Sequence, residues 1–156
     1  MGALNGSYLR RMTIEQISQV ESFGVPWEES YGYVQAVRRG DTIYLSGQLA
    51  NRGSELVAPA PVDENGVATD FSAMGEQMRQ TYVNAGELLR RFGASLDDVV
   101  EEVIYVLDIP AAFEVAGPVR KAAYGREDPQ VASTLVGITR LAFPEQLVEI
   151  KFVARV

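Results

Sequence analysis

The clearest hydrophobic pattern of the chain is a helical one in its middle third. Between residues 71 and 92, apolar side chains recur every three or four positions, which is the spacing of one face of an α-helix. Asp70 precedes this stretch as a candidate N-cap, and Gly93 follows it as a terminating glycine. The pattern predicts a long amphipathic helix with a shared apolar face: Phe71, Met74, Met78, Tyr82, Ala85, Leu89 and Phe92.

The stretches before and after this helix show patterns typical of β-strands. Residues 33–38 and 42–46 both alternate, and Arg39-Gly40-Asp41 between them has turn chemistry, which predicts a β-hairpin. Residues 103–107 are rich in β-branched side chains and predict a buried strand that Asp108 ends.

Two more strands are predicted near the end of the chain, over residues 131–138 and 147–156. The second alternates regularly, which places Glu149 and Lys151 together on one face. Its other face is apolar and consists of Val148, Ile150, Phe152, Ala154 and Val156.

Weaker signals complete the predicted order of elements. Ile14, Ile17 and Val20 recur at helical spacing over residues 13–20, and residues 111–124 have helical composition with Pro118 as a kink or internal boundary. Residues 50–69 have the Gly, Pro and Asn-Gly content of a loop, and residues 95–98 predict a brief helical turn.

The resulting order is ββαβαββ, with no internal repeat, and it predicts an α+β fold. In this fold two helices pack on one face of a mixed sheet. Residues 1–12 are expected to form a flexible polar lead-in, and residues 13–156 a single domain.

The composition removes several classes of enzyme. The 156 residues include no histidine and no cysteine, so no Ser-His-Asp triad, Cys-His pair or redox dithiol can be built from this chain. Structural zinc sites are excluded on the same ground, and no metal site is predicted. With 47 % apolar and 22 % charged residues, the chain has the composition of a globular domain.

Charge and hydropathy also restrict the expected partners. The 14 basic and 21 acidic residues give a net charge of −7, which disfavours binding to nucleic acid or to anionic membranes. No apolar run approaches the length of about 18 residues that a membrane-spanning helix needs. The cytoplasm is the expected location, because no secretory signal is present.

Several motifs together resemble one family. They are Tyr33-Val-Gln35, Gly40, Ile43 to Gln48, Gln77 and Asn84 on the long helix, Phe92 to Val100, Ser133 to Leu141, and Leu147 to Ile150. In this order they are similar to the reactive-intermediate deaminases, also called RidA, YjgF-type or endoribonuclease L-PSP proteins. The resemblance spans about residues 25–156 and implies a chorismate-mutase-like fold. It also implies a homotrimer whose sheets form an inner barrel, with small-molecule clefts between subunits.

The same resemblance implies a reaction and the residues that perform it. Deaminating members hydrolyse 2-imino and 2-amino-2-alkenoic acids to keto acids and ammonia, without metal or cofactor. Tyr33 occupies the family's site tyrosine and Glu149 its site glutamate, both as catalytic residues. Read without the family, Glu149 is a solvated residue or an ion-pair partner of Lys151, and Tyr33 is a packing residue.

One position departs from the family pattern. The family's carboxylate-binding arginine falls on Ser133, which offers one neutral donor in place of a bidentate guanidinium. This loss would weaken binding of an amino-acid-like acid by roughly 10- to 100-fold. Arg38, Arg120 and Arg140 are candidates to replace the missing group, although as single residues they resemble ordinary surface charges.

The end of the second hairpin strand supplies further candidates. Ser46, Gly47 and Gln48 are predicted to bind substrate together with Ser133, since a glycine in a strand permits close approach of a ligand. The structural alternative for Ser46 to Gln48 is a strand bulge. Ser133 is not expected to be a nucleophile, because no histidine exists to activate it.

Three functions follow, in decreasing order of preference. The first is a trimeric, cofactor-free deaminase that hydrolyses an enamine or imine other than the usual 2-imino acids. The second is a non-catalytic trimer that binds or senses a small molecule with the same fold and cleft. The third is a ribonuclease, which the acidic charge and the lack of histidine disfavour.

Overall fold

A computed structural model describes residues 18–156 and shows the predicted ββαβαββ order, preceded by one further strand and a short helix and interrupted by a small hairpin. The strands are β1 Ser18–Glu21, β2 Ala36–Arg39, β3 Thr42–Gln48, β4 Asn51–Arg52, β5 Glu55–Leu56, β6 Val99–Val106, β7 Ala132–Gly137 and β8 Val148–Arg155. The α-helices are α1 Pro26–Tyr31, α2 Met74–Arg91 and α3 Ile109–Tyr124, with a 3₁₀ turn at Leu96–Asp98.

The main sheet is mixed, as the sequence predicts. Its strand order is β1-β2-β3-β8-β6-β7, and β4 pairs with β5 in a separate small hairpin. All pairs in the main sheet are antiparallel except β6 and β7, which are parallel because α3 connects them as a crossover. Strands β1 and β7 are therefore the two edges of this sheet.

Helices α2 and α3 pack on one face of the sheet and form the core with it. Four of the five apolar residues predicted on one face of β8 lie there, and Val148, Ile150, Phe152 and Ala154 are fully buried. The fifth, Val156, follows the end of the strand and is 47 % exposed. Burial of each valine, isoleucine or phenylalanine side chain contributes about 1.5–3 kcal/mol of hydrophobic stabilisation. The opposite face of the sheet carries the exposed Tyr44 and, on β8, the residues of odd number.

The helix predicted over residues 13–20 is wrong where the structure describes it. Residues 18–20 belong to β1, whose Val20 pairs with Val37 of β2. Residues 13–17 lie outside the described part of the chain, as does the lead-in predicted for residues 1–12. Three apolar residues do not define a helix, and pairing with the free edge of β2 decides the conformation instead.

The boundaries of the two long helices also differ from their predictions. Asp70 does not cap α2: its carboxylate accepts from the backbone N–H of Ser72 in the preceding turn, and the helix begins at Met74 after Ala73. Pro118 is not a boundary, since α3 continues through it to Tyr124. The predicted 50–69 loop is mostly irregular and contains the β4–β5 hairpin.

Candidate functional site

The site predicted around Glu149 is built on a bulge in β3. The pairing of β3 with β8 shifts register between Leu45 and Gln48, which places Gly47 against the side chain of Glu149. A Cβ atom at Gly47 would lie 2.0 Å from Oε1 of Glu149. The bulge predicted as an alternative for these residues is therefore present, and its glycine makes room for the carboxyl group.

Glu149 is largely enclosed and interacts with a neutral partner. Its Oε2 accepts a hydrogen bond of 3.1 Å from Nε2 of Gln146, a residue that is itself fully buried. The alternative ion pair with Lys151 is not formed. Burial raises the pKa of Glu149 above its usual range, and the Gln146 hydrogen bond partly opposes this. A carboxyl group with a raised pKa holds its proton to higher pH than an ordinary glutamate and can act as a general acid.

Tyr33 reaches the same region from the turn that follows α1. Gly32 ends α1 in a left-handed conformation, and Tyr33 follows it directly. The Tyr33 hydroxyl accepts a 3.4 Å hydrogen bond from Gln35. Burial raises the pKa of Tyr33, the Gln35 bond opposes this, and the charges of Glu28 and Glu149 raise it further. Tyr33 is therefore a neutral hydroxyl near physiological pH rather than a base.

Ser46 and Gln48 hold the bulge in place. The Ser46 hydroxyl donates to the carbonyl of Val34 at 2.7 Å. The Gln48 amide donates at 2.9 Å to the side chain of Gln35 and to the carbonyl of Ser46. Gln48 is only 1 % exposed, so its side chain does not line an open surface of the single chain, and the substrate contact predicted for it stays a prediction. Both residues fix Gly47 and Tyr33 relative to Glu149.

Ser133 lies elsewhere, on the face of the sheet that the helices cover. It pairs in register with Glu102 of β6, and its hydroxyl donates to Oε1 of that carboxylate at 2.8 Å. Glu149 pairs with Tyr105, three residues further along β6, so its side chain points to the opposite face. Ser133 is thus not brought together with the other predicted site residues.

The neighbour of Ser133 is Arg120, which is not the ordinary surface charge that its sequence context suggests. Its Nε donates to the fully buried Glu102 at 2.5 Å, and its Nη2 donates to Ser133 at 2.8 Å. Tyr82 and Tyr124 also donate to Glu102, at 2.8 and 3.1 Å. Burial is the largest single influence on the pKa of Arg120 and lowers it, but the charge and hydrogen bond of Glu102 and the contact with Tyr82 together raise that pKa.

The other two candidate arginines are also engaged away from Glu149. Arg38 donates through Nε to the carbonyl of Gly40, and Arg140 donates through Nη1 to the carbonyl of Gly66. Within residues 18–156, no lysine or arginine lies within ion-pair distance of Glu149.

Sequence reasoning missed two residues of this region, Gln146 and Trp27. Gln146 is fully buried, and its Oε1 has no hydrogen-bond partner within residues 18–156. Trp27 of α1 packs edge-on against Phe143 at 5.2 Å between ring centroids, and its buried indole Nε1 likewise finds no acceptor in the described part of the chain. Both lie in irregular or short segments, where no periodicity marks a residue as buried.

Residues 18–156 show neither a metal-binding cluster nor a helix that could span a membrane. In the part of the chain that the structure describes, no group of histidine, cysteine or acidic residues is arranged to hold a metal ion. Among the helices of residues 18–156, none has the length and apolar character needed to cross a membrane.

Comparisons with known proteins agree on one family. The family model "Endoribonuclease L-PSP" matches residues 28–156. The RutC family protein YjgH of Escherichia coli is 30 % identical over 124 residues, covering 80 % of this chain and 82 % of YjgH. An uncharacterized protein of Streptomyces coelicolor is 32 % identical over 89 residues, an alignment that spans 57 % of that protein's length.

Solved structures show the same relationship. Rv2704 of Mycobacterium tuberculosis, of the YjgF/YER057c/UK114 family, is 31 % identical with a TM-score of 0.67, over 90 % of this chain and all of that one. RidA of an Antarctic Psychrobacter is 28 % identical with a TM-score of 0.63, over 80 % of this chain and 88 % of RidA. The chain therefore belongs to the endoribonuclease L-PSP family of YjgF- and RidA-type proteins.

Proposed function

We propose that this protein hydrolyses a reactive imine or enamine to a carbonyl compound and ammonia, with Glu149 and Tyr33 as catalytic residues. The observation that carries the proposal is the enclosed carboxyl group of Glu149, which lies against Gly47 and has no basic partner within residues 18–156. Because burial raises its pKa, this group keeps its proton to higher pH than an ordinary glutamate and can donate it to an imine nitrogen.

The reaction consumes one water molecule and leaves Glu149 in its starting protonation state. Neutral Glu149 protonates the imine nitrogen, and the resulting carboxylate takes a proton from the water that attacks the carbon. The tetrahedral amino alcohol then passes its hydroxyl proton through the carboxyl group to nitrogen, and ammonia leaves. Tyr33, held as a neutral hydroxyl, hydrogen-bonds to the polar intermediate.

The proposed substrate lacks an α-carboxylate. Ser133 faces Arg120 and Glu102 on the other side of the sheet, and Arg38 and Arg140 bind backbone carbonyl groups. A carboxylate beside Glu149 would therefore meet none of these three arginines. A site without an arginine for a carboxylate suits neutral imines or cationic iminium groups better than 2-imino acids.

We also propose that the active form is a homotrimer with clefts between its subunits. The face of the sheet opposite the helices supports this, since Tyr44 is 48 % exposed there and Val103, Tyr105 and Val153 are only half-buried. Apolar side chains on an open sheet face favour association. Light scattering is expected to give three times the chain mass of 17.1 kDa, and a mass of one chain would refute the assembly.

The function is tested by measuring carbonyl and ammonia release from imines generated in situ. An amine oxidase supplies imines without a carboxylate, and an amino-acid oxidase supplies 2-imino acids. We expect acceleration of the first group above the second, and loss of it in Glu149→Gln. The matched control is Glu114→Gln, an exposed glutamate of α3, which should remain active.

A second candidate function is non-catalytic binding of a small molecule by the same trimer. The observation that favours it is the absence of the family arginine at Ser133. If no imine is hydrolysed faster than in buffer, the deaminase proposal fails. A ligand that raises the melting temperature without turnover would then support the binding function.

The family description also names an endoribonuclease, and this chain is a poor candidate for one. A net charge of −7 opposes binding to the phosphate backbone, and the sequence has no histidine for phosphodiester cleavage. We expect no cleavage of single-stranded RNA by the purified protein.

A further inference from the structure

The hydrogen bond between Gln146 and Glu149 distinguishes the two oxygens of the carboxyl group. Nε2 of Gln146 donates to Oε2 at 3.1 Å, whereas Oε1 lies against Gly47. In a neutral carboxyl group the carbonyl oxygen is a better acceptor than the hydroxyl oxygen. The N–H of Gln146 therefore favours Oε2 as the carbonyl oxygen and Oε1 as the oxygen that carries the proton.

The Gln146 amide is held in one orientation. Its Nε2 also donates to the backbone carbonyl of Val148 at 3.1 Å. Rotating the amide by half a turn would place Oε1 of Gln146 against this carbonyl, and two acceptors would face each other. Both N–H groups of Nε2 are therefore used, one to fix the amide and one to bind Glu149.

The unsatisfied oxygen of the Gln146 amide also indicates that its two donors have a role. Gln146 is fully buried, and its Oε1 has no partner among the described residues. A methionine would fill similar space without an unsatisfied acceptor. The amide therefore has a use that an apolar side chain lacks, namely its two donors.

The groups that face Glu149 come from several elements. Across β6 the paired residue is Tyr105, and the turn after α1 contributes Tyr33, whose pKa is raised in part by the charge of Glu149. On β8 itself the only charged neighbour on the same face within two residues is the exposed Lys151, and β3 contributes the uncharged Gly47.

We propose that Gln146 is a positioning residue that assigns the transferable proton of Glu149 to Oε1, the oxygen in front of Gly47. The position of the proton follows from the hydrogen bonds of Gln146 alone, whereas its effect on turnover rests on the proposed function. If Glu149 protonates an imine, the imine nitrogen approaches Oε1 from the side of the β3 bulge, and Oε2 remains bound to Gln146 throughout.

Infrared difference spectroscopy of the protonated carboxyl group tests this assignment, with Glu149→Gln identifying the band. Because Oε2 is the carbonyl oxygen and accepts from Gln146, Gln146→Met should move the C=O stretch to higher wavenumber. The pKa of Glu149, followed by carbon-13 NMR of labelled glutamate, should rise in the same variant. An unchanged C=O band in a folded Gln146→Met variant would overturn the proposal.

The matched control is Gln77→Met. Gln77 is equally buried and bonds the backbone of Ala58, Glu145 and Leu147, but not Glu149. It should lower stability without moving the band or the pKa. Equal shifts in both variants would mean that loosening of the 145–147 segment is the cause, and the proposal would be wrong.

The unmodified protein gives a test that does not depend on the folding of any variant. The side-chain amide proton of Gln146 that binds Oε2 should stay downfield of an unbonded amide proton on both sides of the Glu149 titration, and less far downfield once the carboxylate charge is gone. A return to the position of an unbonded amide proton on protonation would place the proton on Oε2 and overturn the assignment. If the infrared and NMR results are as expected but the protein hydrolyses no imine, the proposed function is refuted and the assignment of the proton to Oε1 is not.

Discussion

Replacing Arg120 by methionine should be one of the most destabilising single changes outside the apolar core. Arg120 is the only cation paired with Glu102 within residues 18–156, and Glu102 is completely buried between the sheet and the helices. The methionine retains most of the aliphatic packing but removes the charge. The two tyrosine hydroxyls and Ser133 then remain as neutral donors to an uncompensated carboxylate.

The expected loss of folding free energy follows from the burial of the ion pair. Removing one partner of a buried ion pair costs about 3–5 kcal/mol. Because the Arg120 side chain is 23 % exposed, we expect the lower end, about 3 kcal/mol. For a chain of this size, that corresponds to a decrease of roughly 6–12 °C in melting temperature.

The assay is thermal and urea unfolding at one protein concentration, since association would otherwise change the apparent stability. The matched control is Lys121→Met, at the next position of α3. Lys121 pairs with Glu127 at 3.0 Å, but both side chains are exposed, by 48 % and 90 %. This control should change stability by no more than about 0.5 kcal/mol.

A double-mutant cycle separates charge from packing. Glu102→Gln keeps an acceptor for the tyrosines and removes the charge, so the double variant should be less destabilised than the sum of the two single changes. If Arg120→Met costs no more than Lys121→Met, solvent screens the Arg120–Glu102 pair and the reasoning from burial is wrong.

Three further predictions concern the candidate site. Since folded Glu149 holds its proton more tightly than the unfolded chain does, stability should fall as pH rises above the ordinary glutamate range and through its raised pKa. Glu149→Gln should lack this loss in melting curves taken across pH; parallel curves for both proteins would contradict the prediction. Gly47→Ala should lower the free energy of unfolding by about 1–3 kcal/mol and displace the Glu149 side chain, as urea unfolding would show. The control Gly86→Ala, at a position of α2 where an added Cβ meets no other atom, should leave stability unchanged or raise it. Tyr33→Phe should lower kcat/KM about 10- to 100-fold, the value of one strong hydrogen bond, without moving the pH profile, because the pKa of Tyr33 lies above the working range. A shifted profile would instead make Tyr33 a titrating base.

The periodicity of apolar residues is sufficient to predict the long elements of the fold that bury one face. The apolar stripe of α2 and the alternation in β8 were both predicted and are confirmed. These patterns are readable because one long element places every third, fourth or second residue on the same side. The family resemblance, carried by motifs in a constant order, is confirmed as well.

Short elements and helix ends were predicted less well. Val20 lies in a strand because β2 offers a free edge to pair with, and no local property of residues 13–20 indicates that edge. Asp70 has the right residue type for a cap, yet its carboxylate is used one turn earlier. In both cases several local conformations have similar energies, and long-range pairing or packing selects one of them.

The candidate site divides in the same way. Glu149 and Tyr33 are visible in the sequence as polar residues in family motifs, but their surroundings are not. Gly47 comes against Glu149 only through a shift in strand register, and Gln146 only through the turn before β8. Ser133 is turned to the opposite face by the register of β7 with β6. A carboxyl group becomes a candidate acid through burial and the absence of a nearby cation, and both properties arise only when distant segments of the chain are packed together.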